Sequence, residues 1–75
     1  MILYSFKSAV GQMLIYFDKT FGQYALKIGD TVYEHHHSAE SAADNVYMHS
    51  TGCYNWDSLE GVVETPSELS AWERL

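Results

Sequence analysis

At Ser38 the hydrophobic period of this chain changes, and that change limits its fold more than any other feature. Before Ser38, stretches that alternate in period two, as a strand with one face on a core does, flank an apolar run of strand formers. After it they recur three and four residues apart, as on one face of a helix. Strands first and a helix afterwards predict an α+β fold rather than an alternating α/β one.

The stretch Gln23-Tyr24-Ala25-Leu26-Lys27-Ile28 sets Tyr24, Leu26 and Ile28 against Ala25 and Lys27, and Gly29-Asp30 is a two-residue hairpin signal. A regular hairpin on that turn pairs Ile28 with Thr31, Lys27 with Val32, Leu26 with Tyr33, Ala25 with Glu34 and Tyr24 with His35, and ends near His36. Gln12 to Asp18 is an apolar run of strand formers closed by Asp18-Lys19-Thr20 and Gly22. Met1 to Lys7 places Ile2, Tyr4 and Phe6 opposite Leu3 and Ser5, a further strand that turns through Ser8-Ala9-Val10-Gly11. The expectation is an antiparallel β-meander of three to four strands.

Ala39, Ala42, Ala43, Val46, Tyr47 and Ser50 form one helical stripe, with Glu40, Asp44, Asn45 and His49 on the other side. Ser38 suits the N-cap, Glu40 the positive end of the helix dipole and Gly52 the C′ position. The alanines let this helix lie close to the sheet. Tyr54 to Gly61 reads as irregular or a single turn and Val62-Val63-Glu64 as extended. Thr65-Pro66-Ser67-Glu68 is a capping box that predicts a short C-terminal helix from Pro66 to about Arg74, with Leu69, Trp72 and Leu75 on its apolar side. A helix so short is marginal alone and is expected to dock on the sheet, or else on a partner. Residues 1–75 are expected to form a single small domain, because a chain of this length buries only about 60% of its unfolded surface.

So small a core spares little volume for a catalytic cleft, and GxGxxG, P-loop, HExxH and CxxC patterns are all absent, so no enzyme activity and no catalytic residue is expected. Cys53 is the only cysteine, which excludes an intramolecular disulfide and a thiolate-rich zinc site and fits a reducing, cytoplasmic compartment. The N-terminal MILYSFKSAV lacks the basic region and cleavage site of a signal peptide, and no run approaches the ~20 apolar residues of a membrane span.

His35, His36 and His37 are consecutive, so on a regular strand the first and third share one face and the second takes the other. That arrangement cannot surround one metal ion. The simpler expectation puts His35 beside Tyr24 on the core face, His36 on the wet face beside Glu34 and Lys27, and His37 leading into the helix cap. No cofactor is then expected. The alternative is a histidine-based zinc-binding module with His35, His37 and His49 as metal ligands.

Charge supplies the leading functional expectation. As far as Gly29 the chain has Lys7, Lys19 and Lys27 against Asp18; from Asp30 onward it has nine acids against Arg74, and the net charge is −6. Such a surface repels nucleic-acid phosphates and suits a basic protein partner. Six tyrosines and two tryptophans exceed what a core of this size needs, and such rings are common at binding hot spots. The expected function is a small acidic, non-catalytic protein-binding module, an inhibitor or nucleic-acid mimic, with Tyr54, Trp56, Asp57, Glu60 and Glu64 meeting the partner. Both faces of Gln12 to Asp18 are apolar, so the second sheet face awaits the C-terminal helix or another copy of the chain. A homodimer or homo-oligomeric structural protein is the further alternative.

Overall fold

Strand alternation puts Phe6, Met13 and Ile28 side by side, with Tyr4, Ile15 and Leu26 in the next row, and this apolar face organises the molecule. The computed structural model describes residues 3–75; Met1 and Ile2, the start of the expected first strand, lie outside the described residues. Its strands are β1 (Leu3–Ser8), β2 (Gly11–Asp18), β3 (Gln23–Ile28), β4 (Thr31–His36) and β5 (Glu73–Arg74). They form one antiparallel sheet in the order β4-β3-β2-β1-β5. The α+β class and the meander match the sequence reading, with one strand more than expected. Gly29 takes φ 61, as the first position of a type II′ hairpin requires.

The additional strand replaces the expected C-terminal helix. Only a 3-10 turn forms at Leu69–Ala71; Trp72 is then extended, and β5 pairs Arg74 with Tyr4 and Glu73 with Ser5. Glu68 is itself extended at φ −141, so the capping box never closes. The extended route buries Trp72 against the Phe6 ring at 5.4 Å and lets the Leu75 N–H donate to the Leu3 carbonyl at 2.9 Å. A short isolated helix offers neither. Val62-Val63-Glu64 forms no strand, and Val62 is exposed.

Helix α1 (Ala39–Tyr47) begins as expected, with Ser38 Oγ accepting the Ser41 N–H at 3.1 Å. Ala39, Ala42, Ala43 and Val46 face the sheet, whereas Tyr47 is half exposed and leaves the predicted stripe. The helix also stops sooner than Gly52 suggests. Ser50 N–H donates to Asn45 O at 3.0 Å and His49 N–H to Val46 O at 3.1 Å, a Schellman motif whose left-handed C′ residue is His49, at φ 54. A single helical turn, α2 (Tyr54–Asp57), follows.

The β3–β4 hairpin keeps its predicted register only at the turn. Ile28 pairs with Thr31 and Lys27 with Val32, but Leu26 then pairs with Glu34, Ala25 with His35 and Tyr24 with His36. Tyr33 is the extra residue of a β-bulge, and each later side chain moves to the other face. The expected positions of His35 and His36 are therefore exchanged. Glu34 and His36 now face α1, where Asn45 and Ser41 supply hydrogen bonds, partners that strand pairing alone does not reveal.

On the opposite face, His35 Nε2 donates to Asp18 Oδ2 at 3.2 Å and its ring lies 4.1 Å from Phe21. The hydrogen bond from His35 holds the Asp18 carboxyl below its ordinary pKa, with the Thr20 N–H adding to the effect. A carboxyl depressed by folding stabilises the protein above the unfolded aspartate range, and that stabilisation is lost as pH falls through the folded value. Asp18→Asn should therefore lower the thermal midpoint at neutral pH, and the gap from the natural protein should close on acidification below about pH 3.9, the ordinary aspartate value. Thermal melts across that range check this; a gap that widens in acid would contradict it.

Candidate interaction site

Trp56 ties the chain after α1 to the sheet. It is fully buried, its Nε1–H donates to Val46 O at 3.0 Å, and its ring meets Phe6 edge-on at 6.1 Å. Trp56 therefore belongs to the core and not to the partner-facing set in which the sequence reading placed it. Asp57 is likewise committed inward: its carboxylate accepts from Thr51 N–H at 3.0 Å, Thr51 Oγ1–H at 2.8 Å and Gly52 N–H at 2.9 Å. Of the expected set, Tyr54, Glu60 and Glu64 remain on the surface.

His49 packs directly on Trp56, with ring centroids 4.3 Å apart and planes 14° from parallel. The carbonyl of Trp56 can only accept, so His49 Nδ1 carries a proton and donates to it at 2.8 Å. In the neutral ring Nε2 is then an acceptor, facing Thr65 Oγ1 at 3.3 Å. These contacts hold a non-glycine residue in left-handed backbone at a helix end, a conformation that costs about 1–3 kcal/mol. His49 forms part of a cleft of about 620 Å3 with Tyr47, Met48, Glu60, Val63 and Thr65. Tyr47 and Met48 are each about half exposed beside it.

The four histidines lie in four separate places. His36 Nε2–H donates to Glu34 Oε1 at 2.9 Å, Ser41 Oγ–H donates to His36 Nδ1 at 3.0 Å, and Asn45 Nδ2 donates to both Glu34 oxygens. Hydroxyl, imidazole and carboxylate are in series, as in a nucleophile, base and orienting group. Ser41 and His36 line neither the cleft of about 620 Å3 beside His49 nor the one of about 570 Å3 beside Trp72. What the series does is clasp α1 to the bulged end of β4. His35 is bound to Asp18 on the other face, His37 is exposed beyond the strand end, and His49 is engaged with Trp56 and Thr65. The ligand set of the zinc reading is thus not brought together, and no group of three metal-binding side chains converges among the described residues. Near this region the Cys53 thiol pushes the Tyr33 phenol above its ordinary pKa.

The carboxylates make the larger pattern. Lys7, Lys27, Asp18 and Glu73 occupy strand positions facing away from α1, and Lys19 and Asp30 sit in the turns, so these six charges cancel. The helical side holds Glu34, Glu40, Asp44, Asp57, Glu60, Glu64 and Glu68 against Arg74, and the whole net charge of −6 falls there. Among the described residues the only ion pairs are His35–Asp18 and His36–Glu34, which leaves Glu40, Asp44, Glu60, Glu64 and Glu68 unpaired. A second cleft, of about 570 Å3, gathers Glu40, Asp44 and Glu68 beside Tyr4, Trp72 and Arg74. Sequence reasoning missed this group because β5, which brings Trp72 and Arg74 to α1, read as a helix.

The other sheet face carries no helix. Ser5 and Ala25 are nevertheless buried on it beneath neighbouring side chains, Gln12 bonding to Ser5 Oγ at 2.9 Å among them. No helix among the described residues is long and apolar enough to cross a membrane.

No protein family, no curated protein and no solved structure matches the chain.

The backbone at His49 separates two effects of substitution. His49→Ala and His49→Gly both remove the ring contacts, but only glycine relieves the left-handed strain. His49→Gly should therefore be more stable than His49→Ala by about 1 kcal/mol in urea unfolding, the reverse of their usual order in helices. Equal stability, or alanine ahead, would contradict the strain.

Proposed function

We propose that the protein is a non-catalytic binding module whose anionic helical side docks on a basic protein partner. The observation that carries this reading is the segregation of charge: one side holds the entire net charge of −6, most of its carboxylates have no cationic partner, and the other side is neutral. Clustered unpaired carboxylates raise each other's energy, and an opposing cationic surface removes that cost while speeding encounter. Nucleic acid is disfavoured as a direct ligand, since phosphates meet the same repulsion. The form of action is occupation of a basic surface, as an inhibitor or nucleic-acid mimic would achieve it, with Glu40, Asp44, Glu60, Glu64 and Glu68 as the contacts and exposed Tyr54 and Tyr47 as aromatic neighbours.

Calorimetry with an arginine-rich peptide as probe tests the reading. Affinity should fall about tenfold from low to physiological salt. Joint replacement Glu40→Gln, Glu60→Gln, Glu64→Gln should weaken it by a similar factor, whereas Lys7→Gln with Lys27→Gln should leave it unchanged. Asp57 is excluded from the set because its carboxylate secures the Thr51–Gly52 loop. A salt-independent affinity, or no binding, would overturn the proposal.

A further inference from the structure

The sheet face turned away from α1 is left without one of its two expected covers. Both faces of β2 carry apolar residues, but the C-terminal segment pairs with β1 as β5 and does not lie across the outer face. Register sets what that face presents. One row across the sheet holds Lys27 on β3, Leu14 on β2, Ser5 on β1 and Glu73 on β5. The next row holds Ala25, Tyr16 and Leu3 in the same strand order, and Leu75, 61% exposed, is hydrogen-bonded to Leu3 at its end. Each row has one small residue, Ser5 or Ala25, among larger ones. Lys27 and Glu73 stand at opposite ends of the first row, and neither makes an ion pair among the described residues.

We propose that this face is an interface with a second copy of the chain, across a twofold axis that runs parallel to the strands between β1 and β2. Such an axis keeps the rows in place while it exchanges β3 with β5 and β2 with β1. It sets Glu73 of each copy over Lys27 of the other, Leu14 over Ser5, Leu75 over Ala25 and Tyr16 over Leu3. Both unpaired charges then meet an opposite one, twice over by symmetry, and each small residue receives a large one, as interdigitating sheets require. Charge also selects the occupant. The net −6 lies on the helical side, and packing sheet on sheet points the two helical sides in opposite directions, where they repel least. The outer face itself is neutral, Lys7 and Lys27 offsetting Asp18 and Glu73. Four overlapped strands of six or so residues span roughly 20 by 20 Å on each copy, an area at the small end of specific interfaces that predicts a dimer dissociating on dilution. The inference goes beyond the docking of a basic partner, which uses the opposite side and leaves this one free.

Sedimentation equilibrium at physiological salt tests this over chain concentrations from about 10 μM to about 1 mM, the range in which so small an interface associates. The mass should rise with concentration toward twice the 8.5 kDa of the chain. Leu14→Arg, which brings two guanidinium groups together near the axis, should hold it at one chain. Lys27→Glu and Glu73→Lys should each weaken self-association about tenfold, because each turns both attractive contacts into repulsive ones. Mixed in equal amounts, these two variants should recover the natural affinity, since their heterodimer has opposite charges at both contacts. Recovery requires both variants to be folded, and a change that merely damaged the sheet would not produce it. A mass of one chain at every concentration would overturn the proposal and leave the face to a different partner or to solvent. Association that both reversals leave unchanged, or a mixture no tighter than its components, would overturn it as well.

Discussion

Everything after α1 depends on the burial of Trp56. Its ring fills the space between the sheet face and the loop beyond the helix, its Nε1–H ends on the last buried turn of α1, and its carbonyl fixes the imidazole of His49. Removing a fully buried tryptophan of this kind costs about 3–5 kcal/mol, against a total near 0.05–0.15 kcal/mol per residue for a domain. The left-handed His49 persists because this stacking and hydrogen bonding over-determine it, and the helix can therefore end without a glycine.

The same anchor explains how a charge gradient along the chain becomes a charge gradient in space. The meander comes first in sequence and contains all the lysines. The chain from Ala39 to Trp72 then stays on one side of that sheet, held by Val46, Cys53, Trp56, Leu59, Val63, Leu69 and Trp72 against Met13, Ile15, Leu26 and Ile28. Acids late in the sequence are thereby gathered on one surface, and β5 returns only Glu73 to the other. The charged surface carries a cleft where α1 meets the C-terminal segment and another at the end of α1.

Much of this was legible in the residues. Period-two alternation located β1 and β3, an apolar run of strand formers located β2, the Gly29-Asp30 hairpin signal located β4, and Ser38 with its alanine stripe located α1. Three features were not, each for a physical reason. The bulge at Tyr33 follows from contacts that Glu34 and His36 make with α1, which are long-range and leave no mark on strand periodicity. The C-terminal segment has the local signal of a helix, but pairing with β1 and burial of Trp72 outweigh one turn's worth of propensity. His49 at a left-handed position is illegible because a histidine there is sustained only by tertiary contacts. Of the residues expected at the surface, Tyr54, Glu60 and Glu64 are exposed, whereas Trp56 and Asp57 turn inward because the loop they organise needs them.

Folding places the net charge on one side of the sheet. Paramagnetic relaxation by paired cationic and anionic nitroxide cosolutes measures the electrostatic potential near each amide and so tests it without reference to any partner. The account predicts strongly negative potentials along α1 and residues 53–72 and values near zero on the outward positions of β1, β2 and β3. A uniform negative potential over both faces would contradict it.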